Sequence, residues 1–207
     1  MLNNNINENN KNKNIPQPSS QVKLKLAVIG KSLVGKSAMT NVFIRSKFLE
    51  EYDTTIEDKY TVEKYILDKL CVIDILDTAG QDDYTSLLDT WINSSDGFIL
   101  VFSITDRESF DNLKLKYERI KMIKGDDFRV ILAGNKSDMS ENRVVSNEEA
   151  MKVAISWGSD YVECSAKNML NVDKAFVKVS EQLLNKMFKI DEKNDANKKS
   201  KKSCFCF

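Results

Sequence analysis

Val22-Lys23-Leu24-Lys25-Leu26-Ala27-Val28-Ile29 runs directly into Gly30-Lys31-Ser32-Leu33-Val34-Gly35-Lys36-Ser37-Ala38. The first segment is an apolar strand candidate. The second fits G-x-x-x-x-G-K-[ST], a turn whose backbone N–H groups converge on an anion resting at the N-terminus of the next helix. Glycines at 30 and 35 stand where a side chain would block the anion's close approach. Lys36 supplies a point charge for β and γ phosphates, and the Ser37 hydroxyl is placed to ligate Mg²⁺. This pattern specifies a nucleoside triphosphate and leaves the base open.

Outward from that loop, apolar strand patterns alternate with amphipathic helical ones. Strands are expected near 22–29, 59–66, 70–76, 97–103, 128–134 and 160–164, and helices near 36–45, 84–93, 107–123, 147–157 and 172–188. Phe98-Ile99-Leu100-Val101-Phe102 and Val130-Ile131-Leu132-Ala133 are too continuously apolar for a one-sided sheet, so they read as strands covered on both faces. The expected architecture is α/β, a doubly wound, mostly parallel sheet of six strands with flanking helices. Ligands of such sheets lie beyond the carboxyl ends of the strands.

The 207 residues suit one substantial domain with tails. Residues 1–20 are rich in asparagine, hold both prolines and have little to bury, so they read as a disordered extension; 21–188 read as the domain and 189–207 as a polybasic tail. Lys+Arg and Asp+Glu balance at 31 each, so no global field points to nucleic acid. Histidine is absent, which removes imidazole acid–base chemistry and His-ligated metals. Cys71 and Cys164 lie in apolar runs and read as small core residues, without zinc-ligand spacing. With no signal-peptide pattern and no apolar run long enough to span a bilayer, an intracellular, reducing setting is expected.

Three strand-to-helix loops carry further chemistry. Asp77-Thr78-Ala79-Gly80-Gln81 ends an apolar strand beside the phosphate loop. Asp77 is placed to hold Mg²⁺ directly or through water, the Gly80 N–H to reach a terminal phosphate, and Gln81 to orient an attacking water. Alone, this segment also fits an ordinary tight turn. In Asn135-Lys136-Ser137-Asp138 the carboxylate of Asp138 can accept from N1–H and the 2-amino group of guanine, a donor pair that adenine lacks. Ser165-Ala166-Lys167 is a weaker signal, with a backbone N–H available to the guanine O6.

Taken together, residues from about 22 to 187 resemble a Ras-type small GTPase, with G-x-x-x-x-G-K-S, a threonine loop, D-T-A-G-Q, N-K-x-D and S-A-K in that order. The segment Tyr52-Asp53-Thr54-Thr55-Ile56-Glu57-Asp58-Lys59-Tyr60 is similar to the Y-D-P-T-I-E-D-x-Y effector loop of the Ras and Rap branch. The resemblance implies a P-loop NTPase fold, GTP and GDP as ligands, Mg²⁺ held by Ser37, Thr55 and Asp77, and Gln81 as the catalytic residue. It implies that Phe48 packs on the guanine, that Asn135 and Lys136 flank the base, and that Tyr84 opens the second switch. On residues alone, Phe48 reads as core and Tyr84 as a surface aromatic. The implied activity is hydrolysis of GTP in a monomeric switch. Its partners would be a guanine nucleotide exchange factor, a GTPase-activating protein and Ras-type effectors.

Departures from the family pattern cluster at the phosphate loop and the tail. Ser32 and Leu33 stand where Ras proteins carry Gly-Gly. A side chain at 32 obstructs an activator's arginine, worth about 10³ to 10⁵ in rate in Ras, and a Cβ at 33 disfavours a left-handed backbone. A constitutively GTP-loaded binding module is therefore kept as an alternative to a cycling switch. An ATP-using enzyme on the same loop conflicts with Asp138. Thr54 replaces the effector-loop proline, and Leu88 stands where the second switch carries arginine. Cys204-Phe205-Cys206-Phe207 matches C-a-a-X, with the terminal Phe favouring geranylgeranyl at Cys204. Lys198, Lys199, Lys201 and Lys202 supply the second signal for an anionic membrane, so the expected location is the cytoplasmic face of the cell membrane.

Overall fold

The structure is a computed structural model that describes residues 21–48, 57–78 and 85–203, with 85, 86 and 190–203 as backbone only. The expectations for 1–20, 52–56, 79–84 and 204–207, including Thr55, Ala79, Gly80, Gln81, Tyr84 and Cys204, lie outside the described residues.

In chain order the elements are β1 Val22–Ile29, α1 Lys36–Arg45, β2 Glu57–Ile66, β3 Lys69–Thr78, α2 Thr85–Ser94, β4 Gly97–Ser103, α3 Arg107–Lys124, β5 Arg129–Asn135, α4 Asn147–Ser156, β6 Asp160–Glu163 and α5 Val172–Ser203. The six strands form one sheet in the order β2-β3-β1-β4-β5-β6. Only β2 runs antiparallel, because Leu67 and Asp68 turn the chain straight back into β3 with φ of 49° and 58°.

Alternation along each inner strand divides the core into two. Leu24, Leu26 and Val28 of β1, Ile99 and Val101 of β4, and Ile131 and Ala133 of β5 face α1 and α5. Ala27, Ile29, Phe98, Leu100, Phe102, Val130 and Leu132 face α2, α3 and α4. Every residue of β4 is buried, as the expectation of a strand covered on both faces requires. Cys71 and Cys164 are free, buried thiols of the first cluster, and burial pushes the Cys164 thiol up to about 12.

Helix α1 starts at Gly35 without a side-chain cap, whereas α3 and α4 are capped by short polar side chains. Asp106 accepts from the Ser109 N–H at α3, and Ser146 from the Glu149 N–H at α4. Element ends differ from the sequence expectation in three places that matter. β3 continues through Asp77 and Thr78, because Asp77 is paired both with Val28 of β1 and with Asp58 of β2. β5 likewise includes Asn135, paired with Ser103, and a short 3₁₀ segment follows over Ser137–Asn142. α5 runs on to Ser203 rather than ending near 188, since residues 189–203 contain no Gly or Pro to stop it. Among the described residues, no helix is long and apolar enough to cross a membrane.

Phe43 of α1 and Phe176 of α5 stack with centroids 4.3 Å apart, both fully buried. Phe176→Ala should therefore cost about 3–5 kcal/mol, read as a lower urea midpoint with unchanged slope at fixed nucleotide concentration. A loss below about 1 kcal/mol would show that this contact does not join α1 to α5.

Candidate nucleotide site

The phosphate loop leaves β1 at its carboxyl end and closes on α1. Its two glycines answer to protein neighbours as well as to an anion. A Cβ on Gly30 would lie 2.2 Å from the Val101 carbonyl oxygen, and one on Gly35 would lie 2.3 Å from Asn135 Nδ2. Gly35 also takes φ 98°, in the region that favours glycine. Leu33 takes φ 65° and is 66 % exposed as a residue, so the loop does demand a left-handed backbone where the sequence puts a leucine.

Two buried charges face the loop. Lys36 is 5 % exposed and its Nζ donates to the Lys31 carbonyl at 3.0 Å. Burial pulls its pKa down to about 8, against the attraction of Asp77. Asp77 is fully buried at the end of β3, and burial pushes its carboxyl up to about 6, opposed by the Ser37 hydroxyl and by Lys36. Neither oxygen of Asp77 completes a hydrogen bond of good geometry, although Ser37 lies close enough to favour the charged form. A buried ammonium calls for an anion and a buried carboxylate for a cation. The two together suit a phosphate chain and its divalent ion, which keeps most of its shell from water and phosphate and needs only one or two carboxylates.

Neighbouring residues are sorted by the geometry. The Thr78 hydroxyl donates to the Val28 carbonyl at 2.8 Å, so it ties β3 to β1. Lys31 turns its ammonium to Glu108 at 2.5 Å and Asp106 at 3.8 Å, bracing the loop against α3. Asp58, read from the sequence only as part of the effector segment, sits across the ladder from Asp77 and raises its pKa. Glu57 accepts from Trp91 Nε1 at 2.7 Å, a link between β2 and α2 with no sequence signal. Lys59 and Tyr60 continue along β2, one of the two edge strands of the sheet. Phe48 is half-buried against the first core cluster.

On the base side, the Asn135 side chain spans two loops. Its Nδ2 donates to the Val34 carbonyl at 2.8 Å, and its Oδ1 accepts from the Ala166 N–H at 3.0 Å. Lys136 takes φ 66° to begin the 3₁₀ segment that presents Asp138. Ser165 Oγ donates to Asp138 Oδ1 at 2.5 Å and itself accepts from the Asn168 N–H, which fixes the carboxylate without exhausting its lone pairs. The Ser165 N–H is engaged by the Leu170 carbonyl and that of Ala166 by Asn135. A guanine oxygen would thus meet either a shared Ala166 N–H or the N–H of exposed Lys167.

A phosphate loop at β1, a buried acid at the end of β3 and a braced carboxylate after β5 define a nucleotide-binding α/β domain of the P-loop class. The Ras family model matches residues 25–185, and the chain belongs to the Ras family: it is a small GTPase. It is 44% identical over 153 residues to Ras-like protein 1 of Saccharomyces cerevisiae, covering 73% of this chain and 50% of that protein. It is 46% identical over 153 residues to Ras-like protein RAS2 of Hydra vulgaris, covering 73% and 80%. Against Ras-like protein rasB of Dictyostelium discoideum it is 41% identical over 160 residues, covering 77% and 81%. The chain thus spans half of the yeast relative and about four-fifths of the other two.

Leu33 combines an unfavourable backbone with an exposed side chain, so replacing it removes strain and little packing. Leu33→Gly should raise stability by about 0.5–1 kcal/mol, the left-handed penalty less the entropy that glycine restores to the unfolded chain. Urea unfolding at fixed nucleotide concentration checks this, and a lowered midpoint contradicts it.

Proposed function

We propose that the chain cycles between GDP and GTP as a molecular switch at the cytoplasmic face of a membrane, hydrolysing GTP to GDP and phosphate. The observation that carries this reading is the pairing of a braced guanine-type acceptor, Asp138 with Ser165, with the buried Lys36 and Asp77 at the neighbouring strand ends.

In this mechanism the N–H groups of the phosphate loop and Lys36 hold the β and γ phosphates in line for attack. Ser37, Asp77 and Thr55 would hold Mg²⁺, which when bound neutralises charge on the phosphates. Gln81 orients the attacking water, and the N–H groups of Thr55 and Gly80 contact the γ-phosphate. Loss of that phosphate frees both segments, which changes the surface offered to effectors. Asp138 sets the base: an unmatched nucleotide leaves the carboxylate desolvated and unpaired. Asn135 and Lys136 flank the guanine, and Phe48, half-buried against the first core cluster, packs on it. An exchange factor, an activating protein and effectors meeting residues 52–60 complete the cycle.

One observation favours a slow variant of this cycle. Leu33 projects an exposed side chain beside Ser32 at the mouth of the loop, where an activator's arginine would enter. Intrinsic hydrolysis is then slow and poorly accelerated, and the chain stays GTP-loaded for long periods. Single-turnover assays with a Ras-family activating protein test this. Ser32→Gly with Leu33→Gly should restore acceleration, whereas full acceleration of the unmodified chain rules out the obstruction.

The base assignment has its own test. Asp138→Asn should lower affinity for GDP by at least about tenfold and shift preference to xanthosine diphosphate, in competition against labelled nucleotide. Unchanged preference removes Asp138 as the selector. Anchoring rests on Cys204 and the lysines at 198, 199, 201 and 202. Cys204→Ser should release the protein to the cytosol with nucleotide affinity intact, and mass spectrometry of the cellular protein should show a prenylated Cys204 with 205–207 removed. An unmodified tail overturns the anchoring.

A further inference from the structure

At the end of the molecule opposite the phosphate loop, a cavity of about 320 Å³ opens between the start of β5, the turn after α4 and the last core turns of α5. Arg129, Gln182, Asn185, Lys186 and Lys189 line it, with Gly158 forming one wall. Three cations on one small hollow repel one another unless something negative lies among them.

Among the described residues, two carboxylates at the rim, Asp127 and Asp160, answer part of that charge. Lys186 is paired with Asp127, whose carboxyl it holds below the usual range with a smaller contribution from Arg129 and Lys124. Asp160 of β6 is engaged by Lys178 and by Gln182 Nε2. Among the described residues, the Arg129 guanidinium has one acceptor, the Phe128 carbonyl at 2.6 Å, and neither it nor Lys189 has a carboxylate partner. A guanidinium carries five donors in a planar fork, so most of Arg129's capacity faces the cavity or water. Gly158 adds room, since a Cβ there would meet nothing within 4 Å.

We propose that this cavity is an anion site for a phosphate monoester. A tetrahedral dianion suits the Arg129 fork and the Lys189 ammonium, which both line the cavity, with the Asn185 amide as a neutral donor. The volume admits one phosphate with the ring or glycerol that carries it. Such a group comes from a phosphorylated lipid headgroup or from a free phosphate ester. α5 leaves the body at this cavity and continues to Ser203, so the site lies at the root of the lysine-rich tail.

The test uses the full chain, GDP-loaded and unprenylated, so that its outcome is independent of modification at Cys204. Amide chemical shifts are followed while inorganic phosphate, and then the deacylated headgroup of a monophosphorylated phosphoinositide, is added. Saturable shifts at Arg129, Gly158, Gln182 and Asn185 are expected. Arg129→Gln and Lys189→Gln should each weaken headgroup binding roughly tenfold, the scale of one charge-assisted hydrogen bond, with the GDP release rate unchanged. Co-sedimentation then separates the sources. Retention on phosphatidylcholine vesicles doped with that phosphoinositide, above phosphatidylserine vesicles of equal charge and lost in Arg129→Gln, identifies the lipid. Headgroup binding without this excess identifies a free ester. Absence of saturable shifts at these four residues, or identical binding by both variants, overturns the proposal.

Discussion

The amide of Asn135 is the contact on which the site depends. One side chain donates to the phosphate loop at Val34 and accepts from Ala166, and it lies entirely within the protein. Because the amide offers both a donor and an acceptor, it can join two backbone segments that have no hydrogen bond to each other. The glycine at 35 exists partly to admit it, since any side chain there would collide with Nδ2. The loops after β1, β5 and β6 are thereby held in one register. A buried amide that lost either partner would strand a carbonyl or an N–H, each at a cost of about 1–3 kcal/mol.

Around that clasp the protein keeps two charges that do not suit its interior. Lys36 and Asp77 both sit under the phosphate loop, each with a pKa pulled by burial toward its neutral form. They attract one another, but not enough to offset desolvation. Such an arrangement costs stability in the empty protein and favours a ligand that brings an anion to one and a cation to the other. Strain at Leu33 belongs to the same region. Among the described residues, the buried pair Lys36 and Asp77 and the left-handed Leu33 are thus gathered around the phosphate loop.

Much of this was legible beforehand because it is local. The phosphate loop after β1 and the continuous apolar runs of β4 and β5 are short patterns that place the fold from spacing alone. Leu33 was legible as a conflict between a Cβ and a left-handed turn. What escaped lies in pairings between distant positions. Asn135 and Val34 are 101 residues apart, and Trp91 and Glu57 meet across 34. Asp77 and Thr78 read as loop because they are polar, yet β1 and β2 on either side draw them into the ladder. Arg129 carried no signal at all, since a lone arginine at a strand start is ordinary until Lys186 and Lys189 appear beside it. Helix α5 passes its expected end because propensity, absent any breaker, outlasts the apolar stripe.

The claim that one amide holds both halves of the cradle is tested most directly by amide hydrogen exchange on nucleotide-free Asn135→Ala. The account predicts faster exchange in 34–37 and in 165–168 together, with the α5 core turns unchanged. Faster exchange confined to 165–168, with the phosphate loop as protected as in the parent protein, would contradict it.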